Sequence, residues 1–197
     1  MTVESARSAI IEALRLRRSM TKSGPEPVPQ ALVEQVIAAG TWAPNHRRTD
    51  PWRFVVVTGG ARQRLGDLMA SRLAERLEDV DDERRHELLE KERAKPLRAP
   101  VMIAVAAEPS TDPKTIEIEE VEAVAAGVEN MMLAAHALGL GAMWRTGDAA
   151  YDPAVREFLG LSDRAHIVSF LYLGYPEIVP PPLSRPNPDR FIRWLDQ

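Results

Sequence analysis

The chain has 197 residues, of which 45% are hydrophobic and 27% charged, with a formal net charge of −4. This balance suits one globular domain with a sizeable core and excludes whole-molecule attraction to nucleic acid. The absence of cysteine excludes disulfides, thiolate catalysis and cysteine-ligated metals.

Residues 3–17 are predicted to be helical, because Ala6, Ile10, Ala13 and Leu14 recur at helical spacing. The same terminus lacks the long apolar run of a secretory signal, and no stretch approaches the ~20 apolar residues of a bilayer span. A soluble cytoplasmic protein is therefore expected. RRSMTKSGPEPVP breaks the pattern. A second helix follows, with Pro29 in its first turn, a Leu32, Val33, Val36 and Ile37 stripe, and Gly40 to end it.

TWAPNHRRTDPWRF, residues 41–54, is too rich in Trp and Arg for a plain connector. It leads into FVVVT, a buried strand over 54–58. A helix is expected from about Ala61 to Leu77. Residues 78–95 alternate in sign, with Glu87 and Lys91 spaced for an i,i+4 pair, and predict an exposed helix or helical hairpin. VMIAVAA predicts a second buried strand between Pro100 and the following loop. The strongest helix spans 115–138, with an acidic first turn and an otherwise apolar or small composition, which points to a helix buried on most faces at a domain or subunit interface.

GLGAMWRTG predicts a third strand that leaves into a loop. Asp152 and Pro153 form an N-cap and first-turn pair for a short helix closed by Gly160. HIVSFLYLG, residues 166–174, predicts a fourth strand. Six of the chain's 16 prolines lie between Pro176 and Pro188, so the tail is expected to be an extended arm. It carries Phe191, Ile192, Trp194 and Leu195, which need a surface to cover. Helices and strands mix without a regular βαβ alternation, so the fold class is α+β, in one domain over 1–197 with 176–197 as the arm.

The chain has no P-loop, no G-x-G-x-x-G after a strand, no H-E-x-x-H and no G-x-S-x-G. Its four histidines lack metal-type spacing, and no metal site is expected. Few groups remain for acid, base or nucleophile roles, which points to a cofactor for the hard step. Three segments stand out. Arg17, Arg18 and Ser19 offer a phosphate clamp, or else cations that suit a helix C-terminus. Trp42 and His46 offer a stacking face and a donor, whereas Trp52 begins a strand and is expected to pack in the core. Trp144, Arg145, Thr146 and Gly147 end a strand in a loop whose free backbone N–H groups suit ring heteroatoms, with Trp144 equally suited to fill the core.

These pieces, in this order, resemble the nitroreductase family of FMN-dependent oxidoreductases, most closely its small, minimal branch. The likeness is carried by RRS at 17–19, APNH at 43–46, PWRF at 51–54, GAMWRTG at 141–147 and FLYLGYP at 170–176. Trp42, Asn45 and Thr146 depart from the family's usual residues. The resemblance implies an α/β sandwich with a central mixed sheet flanked by helices, in an intertwined homodimer with FMN shared at the interface. It implies that Arg17, Arg18 and Ser19 hold the phosphate and ribityl region. It also implies that Trp42 and His46 reach the flavin from the partner chain, and that Trp144, Arg145 and Thr146 run past the isoalloxazine. Arg185, Arg190 and Arg193 lie where larger members place further phosphate-binding residues. The implied activity is ping-pong hydride transfer from NADH or NADPH through flavin N5 to a nitroaromatic or quinone. Two alternatives are a non-catalytic flavin-binding protein and a family enzyme of different outcome, of dehalogenase or flavin-destroying type.

Overall fold

A computed structural model describes residues 3–20, 22–178, 180–181 and 183–195, with side chains described from residue 9 onward; the Ala6 side chain lies outside this set. The elements are α1 (Val3–Leu16), α2 (Gln30–Gly40), β1 (Trp52–Val57), α3 (Gly59–Ala74), α4 (Asp82–Arg93), β2 (Val101–Ala107), α5 (Glu117–Ala137), β3 (Gly141–Arg145), α6 (Pro153–Phe158) and β4 (His166–Gly174). Each predicted helix and strand is present, most within two or three residues of its expected ends.

The four strands form one sheet in the order β1-β2-β4-β3. All three neighbouring pairs are antiparallel. The expectation of a mixed sheet is thus corrected. The single parallel element among the described residues is an isolated bridge between Ser19 and Ala142, on the outer edge of β3. Beyond Met20 the chain leaves the β3 edge for the segment that follows β4, where Ser23 bridges Pro176 and Gly24 N donates to Tyr175 O, so the bridge does not extend into a strand.

Every residue of β2 is buried. Val101, Ile103, Val105 and Ala107 join α2 and α5 on one face, while Met102, Ala104 and Ala106 join Leu65 and Met69 of α3 and Val155 of α6 on the other. Covering both faces is what turns a strand's alternating pattern into a continuous apolar run. The fold is therefore a three-layer α/β/α sandwich with the sheet in the middle.

The buried stripe of α5 runs Glu120, Ala123, Val124, Gly127, Val128, Met131, Met132 and Ala135, which is helical spacing toward the sheet and α2. A Cβ on Gly127 would lie 2.8 Å from the Gly40 carbonyl oxygen, so these two glycines let α2 and α5 touch backbone to backbone. The Asp152 carboxylate caps α6 by accepting from Ala154 N at 2.9 Å and also accepts from Arg72 Nε at 3.1 Å, which ties α3 to α6. In α4 no residue is buried, and Glu87 pairs with Lys91 and Arg84, as its alternating charges require.

Two regions carry exposed apolar side chains among the described residues. On α1, Ile10, Ile11, Leu14 and Leu16 are all about half exposed or more. In the arm, Phe191, Trp194 and Leu195 are exposed, and Pro188–Phe191 forms a helical turn. No helix among the described residues is long and apolar enough to cross a membrane.

Candidate functional site

The segment after α1 is extended and pairs with the edge of β3, with Met20 N donating to the Ala142 carbonyl at 2.9 Å. This pairing sets Arg17, Arg18 and Ser19 along the sheet edge. Arg17 is mostly buried, with its Nε donating to Glu129 on α5 at 3.2 Å. Its Nη1 is buried with no hydrogen-bond partner among the described residues. A buried guanidinium nitrogen without an acceptor is costly, and the usual reason for keeping one is an acceptor supplied from outside the chain. Arg18 donates to the Pro181 carbonyl of the arm. The root of the arm is fastened to the same segment: Gly24 N donates to Tyr175 O at 2.8 Å, Glu177 N donates to Lys22 O at 3.2 Å, and Lys22 pairs with Glu177.

Trp144 lies two residues beyond Ala142, roughly 7 Å further along β3. Its indole packs with the α2 and α5 core, and Nε1 donates to the Val168 carbonyl at 3.0 Å. The Trp144 side chain is therefore core material, and what this segment presents outward is backbone together with Arg145 and Thr146, which are exposed. Gly147 has φ 81°, a conformation that favours glycine, and turns the chain there.

This loop borders a cleft of ≈ 310 Å³ that also takes in Lys95, Arg98 and Tyr172. Sequence reasoning passed over Lys95 and Arg98. They lie in KPLRAP, between an exposed helix and a buried strand, where cations carry no periodic signal. Burial pushes the Tyr172 hydroxyl above its ordinary pKa of 10.0, against the opposing pull of the Arg98 and Arg145 guanidiniums. The cleft thus combines three cations, a phenol and loop backbone on the face of the sheet opposite α5.

Trp42 and His46 lie elsewhere in the same chain. Trp42 is 85% exposed just beyond α2. His46 Nδ1 meets Glu119 Oε2 at 2.7 Å near the start of α5. Arg17 grips the same helix at Glu129, ten residues later, so the two attachments are separated by roughly 15 Å along its axis. The structure sets Ser19 beside Ala142, on the strand that runs on to Trp144, Arg145 and Thr146, and places Trp42 and His46 at the other end of α5 from the Arg17–Glu129 contact. Trp52 begins β1 and packs against the core, as expected.

The loop that carries His46 is anchored and strained. Ala43 and Pro51 are buried at its ends. Between them Arg47, Arg48 and Asp50 all have left-handed backbone, with φ of 65°, 53° and 50°. Each costs a non-glycine residue roughly 1–2 kcal/mol. The Asn45 side chain braces the loop by accepting from Asp50 N at 3.0 Å and meeting the Thr49 hydroxyl at 3.3 Å.

The Nitroreductase family model matches residues 14–175, which takes in the clamp, the strained loop and the β3 loop. The chain belongs to the nitroreductase family. As a member it is an oxidoreductase enzyme of the nitroreductase type. It is 32% identical over 187 residues to the Escherichia coli K12 protein YdjA, provisionally named an NAD(P)H nitroreductase, covering 94% of this chain and 98% of that one. Among solved structures it resembles a nitroreductase-like family protein from Bacillus cereus, with a TM-score of 0.81 and 26% identity over 95% of this chain and 96% of the other. It also resembles a provisionally designated nitroreductase from Desulfovibrio desulfuricans in complex with FMN, with a TM-score of 0.68 and 25% identity over 95% and 98% of the two chains.

Proposed function

We propose that this member of the family is an FMN-dependent homodimer that takes electrons from NADH or NADPH and passes them to an electron-poor acceptor such as a nitroaromatic or a quinone. When bound, FMN supplies hydride transfer at one exposed face, which donor and acceptor occupy in turn.

The observation that carries the reading is Arg17, whose buried Nη1 has no acceptor among the described residues and which Arg18 and Ser19 follow in the chain. The fit to a phosphate is chemical: a guanidinium is a rigid fork of donors that matches phosphate oxygens, and Glu129 occupies only the Nε side of Arg17. Arg18 and the Ser19 hydroxyl complete the donor set. The backbone at Arg145 and Thr146 offers N–H groups at the far end of β3. Lys95, Arg98 and Arg145 favour negative charge in the adjoining cleft, because preorganised cations stabilise charge as it develops.

Trp42 and His46 contribute from a second copy in this reading, since they stand well away from Arg17 in their own chain. The half-exposed apolar residues of α1 and the arm are the surface such a dimer would bury.

The test is purification followed by flavin analysis. The protein is expected to carry or take up FMN and to lose its yellow colour under NADH or NADPH without oxygen. A preparation that neither contains nor binds FMN overturns the reading. Arg17→Ala is expected to weaken FMN affinity by about tenfold or more, the value of one charge-assisted hydrogen bond, with an unchanged circular dichroism spectrum. Undiminished flavin content in that variant would remove Arg17 from the site.

A further inference from the structure

The proposed function leaves Arg47 and Arg48 without a role, yet the fold holds both in left-handed backbone. Strain of this kind persists only where surrounding contacts impose it, and it gathers at ligand sites. Here the imposing contacts are the buried Ala43 and Pro51 and the Asn45 brace across to Asp50. The result is a fixed loop with two adjacent exposed guanidiniums. Neither makes an ion pair among the described residues, although the nearby α5 start is rich in carboxylates and His46 does pair there.

We propose that Arg47 and Arg48 form a subsite for the 2′-phosphate of NADPH, so that the enzyme prefers NADPH to NADH. This rests on the reading that a nicotinamide donor approaches FMN past the loop bearing Trp42 and His46. A ribose phosphomonoester carries close to two negative charges and three acceptor oxygens, which suits guanidiniums on two adjacent residues of one loop. The 2′-hydroxyl of NADH offers no charge to them. A loop backbone already braced by Asn45 and anchored at Ala43 and Pro51 reduces the ordering cost of binding.

The test uses the FMN-loaded protein and the double variant Arg47→Gly/Arg48→Gly. Glycine accepts the left-handed backbone, so the guanidiniums are removed without new strain; Arg47→Asn/Arg48→Asn, also tolerant of that conformation, serves if the glycine variant melts early. Titration calorimetry with 2′,5′-ADP and with 5′-AMP as probes reports the subsite without any reaction. The wild type is expected to bind 2′,5′-ADP at least about tenfold more tightly than 5′-AMP, and the variant to lose that difference. In steady-state assays the KM for NADPH is expected to rise by a similar factor, with the KM for NADH and the FMN content unchanged.

Equal affinity for the two probes in the wild type, or a preference that survives both substitutions, overturns the proposal. Loss of FMN from the variant also overturns it, because the arginines then serve the flavin's own phosphate. Absence of flavin, or of bleaching by either nucleotide, in the wild type instead counts against the proposed function, while the calorimetric arm still judges the subsite.

Discussion

The two central strands and the two chain ends both carry large apolar side chains, but these have opposite fates. In β2 and β4 the large side chains are wholly enclosed: Ile103, Leu171 and Leu173 have no exposed surface. On α1 and the arm, Leu14 is 48% exposed, Trp194 83% and Leu195 81%. Burial is what converts apolar area into stability, at roughly 25 cal/mol per Å², so the strands stabilise this chain alone while the ends have yet to realise theirs. A pattern of apolar residues thus announces that a surface will be covered, without saying by what.

The contrast can be broken most forcefully at the centre. Leu171→Ala is expected to cost about 2–5 kcal/mol in urea unfolding, because the enclosed site cannot collapse around the lost atoms. The equivalent Leu14→Ala change should move the unfolding midpoint far less at protein concentrations where the chain is monomeric. Leu14→Glu sharpens the comparison: if a second copy covers α1, sedimentation should report a shift from dimer to monomer with the secondary structure intact. A dimer unaffected by the charge would place the interface elsewhere.

A smaller effect separates the two faces of the sheet. Tyr172 has its folded-state pKa raised by burial, so its contribution to stability is fully present below pH 10 and lost as pH rises through the folded value. Tyr172→Phe removes that titration. Alkaline denaturation should therefore begin at lower pH in the wild type than in the variant, and coincident curves would show the hydroxyl to be uninvolved.

Much of this protein was legible in its residues. Apolar runs such as VMIAVAA and HIVSFLYLG identified the strands, since only elements covered on both faces lack alternation. Asp152-Pro153 and Gly160 bracketed α6, because capping is a local interaction. RRS and WRTG marked the candidate site because guanidiniums and loop backbone announce their chemistry locally. The acidic first turn of α5 was equally visible, but its engagement of His46 through Glu119 was not.

What the sequence by itself determined, then, was the element order and the family, both of which depend on near neighbours in the chain. Only the tertiary structure decided that the named strands pair antiparallel throughout, that the Trp144 indole turns into the core, and that Lys95 and Arg98 join the loop after β3 at one cleft. It also decided that Arg47 and Arg48 stand in strained backbone. Each of these depends on contacts between residues far apart in sequence, where no periodicity carries the information.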